Sequence, residues 1–228
     1  MSFRVIALLV LAASGTATLA HAELPQLGRP VRIDGVAAYV GGTSPGEGVR
    51  IILQSDVELR ARLALFNGGS GNALSDLATP ELLRATLSEL LGEALIAVEA
   101  VRLGLSAPSA REVREQRMRM AAAGRGERAF NELVDALEIP AEELDEIAKQ
   151  RALVGAFLAA NLEGTIDVSE SELLRAYETE DHPFQGLPYA AERARFAAWL
   201  QQKRLEEAVG RWVLSLKERI PHRVLATF

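Results

Sequence analysis

Residues Thr79 to Gly104 read TPELLRATLSELLGEALIAVEAVRLG, and this stretch decides the fold class. Thr79 offers the hydroxyl of an N-cap residue, and Pro80 follows at the first helical position, where its missing N–H costs nothing. Leu83, Leu87, Leu90, Leu91, Ala94, Val98 and Val101 then recur at three- and four-residue spacing, the period of one helix face. Gly104 ends the pattern as a residue suited to the left-handed turn beyond a helix. Such a helix needs other elements around it to bury its apolar side, and the flanking sequence supplies them.

Downstream, Ser109 with Glu112 and Ser169 with Glu172 are capping boxes. The first opens a charged helix that stops before Gly124, and the second a short helix ending near Glu178. Between them a short helix is predicted around Glu127 to Leu137. Pro140 then opens a longer one, with Leu144, Ile147, Leu153, Phe157 and Leu158 apolar and Gly164 at its close. Past the connector His182 to Pro188, a long helix is predicted over about Ala191 to Arg219, ended by Pro221. At 100° per residue its Phe196, Trp199 and Leu200 point one way, whereas Leu205, Ala208, Val209, Trp212 and Leu216 point roughly the opposite way. One helix with two apolar faces in series must touch two bodies or break near Gln201 to Arg204; bridging is the expectation.

Upstream, Ser55 with Glu58 reads as a third capping box, predicting a helix from about Asp56 to Phe66 that breaks at Gly68 to Asn72. Before it, Val36, Ala38 and Val40, then Val49, Ile51 and Leu53, alternate at period two across a loop from Gly41 to Gly48, the pattern of a β-hairpin. His222 to Phe228 has the length of a short strand. The hairpin is its most economical partner, since a lone exposed strand is a liability. The expected fold is mainly α, with a small antiparallel sheet formed by an N-terminal hairpin and a C-terminal strand.

Residues 1–22 read as a secretory signal peptide: Arg4 gives the positive start, Val5 to Ala13 the apolar run, and Ala20-His21-Ala22 the small-x-small cleavage form. The apolar run is shorter than the about 20 residues of a membrane span. No later stretch is apolar enough to span a bilayer, so no integral membrane segment is expected in the mature chain, which would reside in the periplasm. Glu23 to Arg32, with two prolines and a glycine, reads as an extended lead-in.

The chain of 228 residues carries 31 acidic and 25 basic residues, a net charge of −6, and no cysteine. The missing cysteines exclude a disulfide scaffold, thiolate metal sites and a cysteine nucleophile. The negative balance argues against nonspecific nucleic-acid binding, which displaces counterions with a basic surface. His21 leaves with the signal, while His182 and His222 have no metal-ligand spacing around them. The acidic runs Glu142-Glu143-Asp145-Glu146 and Glu178-Glu180-Asp181 read as solvated helix surfaces. No nucleotide cradle or serine elbow is present. No catalytic residue, cofactor or metal is expected.

Binding of apolar segments is the remaining class. On the helix at 110–122, Arg111, Arg114, Arg117 and Arg119 surround Met118 and Met120, and methionine suits surfaces that accept varied partners. Phe66 and Phe130 could extend such a surface. Phe66, Met118, Met120 and Phe130 are therefore the candidate client-binding apolar surface, with a plain core role as the alternative reading of the same four.

The order of the pieces resembles the SurA-type periplasmic chaperones. A signal peptide precedes Ile33-Asp34-Gly35-Val36-Ala37-Ala38-Tyr39-Val40, a turn, and Ile52-Leu53-Gln54-Ser55-Asp56-Val57, similar to the opening of that family's N-terminal domain. The leucine-rich helix at 80–103, the exit Leu103-Gly104-Leu105-Ser106, the helix start Ser169-Glu170-Ser171-Glu172 with Tyr177, and the final helix with Trp212 look like the same family. The family usually inserts parvulin-type prolyl isomerase domains between the tyrosine-bearing helix and the C-terminal helix. Here only about a dozen residues separate Tyr177 from Glu192, below the roughly 50-residue floor for a domain. The resemblance implies a signal peptide over 1–22, a hairpin and helical chaperone domain over 23–180, a connector over 181–190, and a C-terminal helix and strand over 191–228 packing back on that domain. It further implies an ATP-independent holdase for unfolded or extended outer-membrane or exported polypeptides, without isomerase activity. A non-catalytic adaptor of the same fold with one dedicated partner is the alternative, and an active prolyl isomerase the third reading.

Overall fold

The computed structural model describes residues 34–41, 49–68, 78–162 and 167–228. The expected signal segment, the lead-in, most of the hairpin loop, the break at 69–72 and Gly164 lie outside the described residues. Along the chain run β1 (Val36–Val40), β2 (Arg50–Leu53), α1 (Gln54–Asn67), α2 (Pro80–Arg102), α3 (Ala110–Ala122), α4 (Glu127–Ala136), α5 (Ala141–Leu162), α6 (Glu170–Thr179), α7 (Tyr189–Arg219) and β3 (His222–Val224). The fold is mainly helical with a small antiparallel sheet of order β2-β1-β3, the expected class.

α2 is the centre of the molecule. Thr79 caps it by accepting from the Leu82 N–H at 3.2 Å. At its other end Leu105 N–H donates to the Ala100 carbonyl and Gly104 N–H to that of Val101, the paired bonds of a Schellman turn. Gly104 takes the left-handed conformation this requires, φ +79°. The apolar periodicity showed one buried face, but Leu95, Ile96, Ala97 and Ala100 on the other sides are buried as well. The second half of α2 is therefore buried on most sides, as in a core helix, and α2 is packed by the sheet, α1, α5 and α7.

The Ser109–Glu112 and Ser169–Glu172 boxes form, each serine N–H donating to the glutamate at 2.7 and 3.0 Å. The Ser55–Glu58 box does not. Helix α1 begins earlier, with the Asp56 carboxylate accepting from the Leu53 N–H at 2.8 Å. The Ser55 hydroxyl instead donates to Asp34, and the Ser55 N–H reaches the same carboxylate at 3.2 Å. A partner 21 residues upstream has displaced the local one.

The sheet also departs in phase. Ile52 faces the core, whereas Val49 and Ile51 are 52% and 58% exposed. A register shift in β1 between Val36 and Ala38 puts Ala38 opposite Ile52 and leaves Ala37, Ala38 and Val40 buried. Such a bulge breaks the period-two alternation that a flat strand would show.

Three apolar clusters result. The main one joins the sheet, α2, the second half of α5 and the end of α7. A second holds Leu63 and Phe66 of α1, Met120 of α3, Phe130 and Leu133 of α4, and Leu144 and Ala148 of α5. The third gathers Leu173 and Ala176 of α6, Phe184 of the connector, and Phe196 and Leu200 of α7. The two faces of α7 therefore serve two bodies, Phe196 and Leu200 in the third cluster and Leu216, with Val209 and Trp212, in the first. The helix runs unbroken through Gln201 to Arg204. Among the described residues no helix is long and apolar enough to cross a membrane.

Candidate client cleft

Phe66, Met120 and Phe130 do not form a surface. They are 4%, 6% and 6% exposed, and the Phe66 and Phe130 rings meet edge-on at 6.2 Å inside the second cluster. Met118, by contrast, is 64% exposed. The reason is angular: Met118 and Met120 lie about 200° apart on α3 and cannot share a face. Met120 turns inward, and Arg117 helps dock α3 on α5 by an ion pair to Asp145 at 2.8 Å. The turn after α3 is equally tight. Gly124 has φ +64°, and a Cβ there would lie 3.0 Å from the Asn67 Cα and the Phe66 carbonyl oxygen. The surface expected from these four residues is thus replaced by a core of three and one isolated exposed methionine.

An accessible apolar concavity lies elsewhere. A cleft of about 590 Å3 opens between β2, α1, α2 and α5. Its apolar lining comes from Ile51 and Ile52, Leu59, Leu90, Ala94 and Val101, Leu105, and Ile147 and Leu153. Val101 and Ile51, at 61% and 58% exposed, stand at its mouth beside the exposed Glu146–Lys149 pair, so it is open to solvent from a rim that is part apolar and part charged. Clefts of about 300–1,000 Å3 with mostly apolar walls and few polar groups are the usual form of binding sites.

The polar groups are arranged in two sets. On one side the buried Arg60 of α1 pairs with Glu93 of α2. Gln150 of α5 donates to the other Glu93 oxygen at 3.3 Å and accepts from Arg50 of β2 at 3.1 Å. Arg151 stands 4.0 Å from Glu93. Burial, with the positive charge of Arg60 added, holds the Arg151 guanidinium below its ordinary range. This network ties β2, α1, α2 and α5 together behind the cleft. On the other side Asp56 and Glu143 line the cleft, and burial, reinforced by the Asp56 charge, pushes the Glu143 carboxyl above the usual glutamate value.

A raised carboxyl favours the folded state fully below its unfolded pKa, and that contribution is lost as pH rises through the folded value. Glu143→Gln is therefore expected to raise the melting temperature at pH 7. At about pH 3.5, below the ordinary glutamate value of about 4.3, the two proteins should melt alike. Thermal melts at the two pH values check this, and an equal shift at both would assign the effect to packing.

The acidic runs that read as solvated surface contain three structural carboxylates, Asp145 in its pair with Arg117 being one. Glu143 lines the cleft, and Glu180 binds Lys203 and Arg204 of α7 at 2.8 and 2.5 Å. Hydrogen bonding from Lys203 first, then the Arg204 charge, keeps Glu180 below its ordinary value. His182 is likewise structural: its Nδ1 accepts from the Phe184 N–H at 3.1 Å, while Nε2 lies 2.9 Å from the Tyr177 carbonyl oxygen. The Tyr177 hydroxyl reaches the Leu187 carbonyl at 2.7 Å, so the connector is wrapped around this tyrosine. Among the described residues no group of three or more histidines or carboxylates could hold a metal ion.

No family model matches the chain, and no curated protein matches it.

Proposed function

We propose that this protein is a periplasmic, ATP-independent chaperone of SurA type, a holdase that keeps unfolded or extended segments of outer-membrane or exported proteins from aggregating. The observation that carries the reading is the open apolar cleft of about 590 Å3, with Ile51 and Val101 exposed at its mouth on a helical frame. An unfolded barrel strand presents alternating apolar side chains to water. Each large side chain taken into the cleft contributes roughly 1.5–3 kcal/mol. Ordering the segment offsets much of this, so binding is weak and reversible, about micromolar. Reversible capture of the unfolded state lowers the free concentration that aggregates, by mass action and without ATP. The order of hairpin, leucine-rich helix, Tyr177 helix and Trp212 helix, similar to SurA-type chaperones, points the same way. Only residues 180–188 lie between α6 and α7, which supports the reading without isomerase activity.

Light scattering tests the reading. The purified protein is mixed with a urea-diluted outer-membrane β-barrel protein and, separately, with an unrelated unfolded soluble protein. Suppression of barrel-protein aggregation at near-stoichiometric amounts is the expected result. No suppression of either would remove the general chaperone reading and favour an adaptor with one dedicated partner.

A further inference from the structure

The sheet meets the cleft with an unpaired edge. The Gly41 N–H donates to the Pro221 carbonyl at 2.8 Å, and the Leu225 N–H to that of Ala37 at 2.8 Å. Ala37, Tyr39 and Gly41 thus spend their backbone groups on β3, and in an antiparallel ladder Ala38 and Val40 must then turn theirs towards β2. Their register partners are Ile52 and Arg50. The N–H and C=O of Ile51, between those two, consequently face away from β1. No backbone partner occupies that side among the described residues. The next outward N–H, that of Leu53, is taken by the Asp56 carboxylate. Ile51 and Ile52 point to opposite sheet faces, one exposed and one buried, yet both line the cleft, so the cleft lies against the strand edge rather than a face.

What fits an unpaired strand edge is another extended backbone, and a helix would leave the Ile51 groups unsatisfied. The charges narrow the occupant further. Lys149 is paired with Glu146, Arg60 with Glu93, and Arg50 donates to the neutral Gln150 oxygen at 3.1 Å, turned to the α5 side of the cleft. Glu143 has no cation partner among the described residues and faces the like charge of Asp56, which already accepts from Leu53. A visiting cation would relieve this repulsion, and a visiting carboxylate would add to it.

We propose that an extended polypeptide segment adds to β2 as a further strand at Ile51, seats a large apolar side chain in the cleft, and places a lysine or arginine against Glu143 and Asp56. The proposal rests on reading the protein as a binder of unfolded chains and specifies how and which segments it takes: apolar, extended and flanked by a basic residue. Selectivity then comes from the backbone edge and the carboxylates, while the apolar wall tolerates varied side chains.

The probe is a fluorescein-labelled peptide of alternating phenylalanine and serine carrying one lysine, followed by anisotropy and by amide hydrogen exchange of the protein. On saturation the Ile51 amide should slow by on the order of tenfold or more, whereas the Arg50 and Ile52 amides, already bonded to β1, change little. Ile51→Pro removes the outward N–H together with the isoleucine side chain, a substitution that an edge position tolerates, and should weaken binding about tenfold. Ile51→Thr loses apolar surface at the same position but keeps the N–H, so its effect should be severalfold smaller, and the difference from Ile51→Pro is the part read as the backbone bond. Exchanging the peptide lysine for glutamate should weaken binding severalfold in the wild type and much less in Glu143→Gln. If the peptide binds with the Ile51 amide unprotected and Ile51→Pro unaffected, strand addition is wrong while client binding stands. Absence of binding by this peptide and by unfolded barrel protein alike overturns both. The exchange measurement on the wild type decides the matter even if Ile51→Pro does not fold.

Discussion

Replacing Glu93 with alanine is expected to lower stability by about 3–5 kcal/mol, because it strands a buried charge rather than removing a contact. The Arg60 side chain is 6% exposed and Glu93 is its ion-pair partner at 15% exposed. Arg151, already below its ordinary range through burial, loses the same nearby negative charge. The alanine variant leaves two guanidinium groups facing each other in a poorly solvated space. The combined change Arg60→Met with Glu93→Leu should recover most of the loss, since apolar residues of similar volume replace buried pairs at little cost. Urea unfolding of the single and double variants checks both statements. A cost below about 1 kcal/mol for Glu93→Ala would mean that water reaches Arg60 freely.

Phe196→Ala is expected to cost about 3–5 kcal/mol, the range for truncating a fully buried phenylalanine. Phe196 is 0% exposed, and its ring meets those of Tyr177 and His182 at 4.9 Å each and stacks on Trp199 at 5.6 Å. Its cluster holds α6 and the connector against the first half of α7, and is separate from the cluster around α2. The damage should therefore be local. Amide exchange should accelerate through α6, the connector and the start of α7, while α2 keeps its protection. Equal acceleration in α2 would show that α7 transmits the loss and that the clusters unfold as one.

Which features could be read from the sequence follows from how local their physics is. The Ser109–Glu112 and Ser169–Glu172 boxes involve groups three residues apart, so the residue pattern contains the whole interaction. At Ser55 the same pattern misleads, because Asp34 competes for the hydroxyl and nothing near Ser55 reveals it. The double role of α7 was legible because the angle between Leu200 and Leu216 is set by helix geometry alone. The burial of Phe66 with Phe130 was not, since apolar side chains show the need for a partner without naming it. The roughly 200° between Met118 and Met120 is also set by helix geometry alone, so their opposite placement on α3 has a local sequence signal. The cleft has no sequence signal of its own: Ile51, Val101 and Ile147 meet only through the packing of β2, α2 and α5. The unpaired edge at Ile51 depends on β3 taking the far side of β1, a contact across most of the chain.

If unfolded chains bind in the cleft, as proposed, a pair of surface substitutions separates the cleft from α3. Val101 and Met118 are both exposed, at 61% and 64%, so glutamate at either should leave the fold intact. Only Val101 lines the cleft. With a labelled unfolded outer-membrane β-barrel protein as ligand, Val101→Glu should raise Kd about tenfold, a loss of about 1.4 kcal/mol, and Met118→Glu should leave it unchanged. An unchanged Kd for Val101→Glu together with weakened binding by Met118→Glu would exclude the cleft as the binding site and move the client surface to α3.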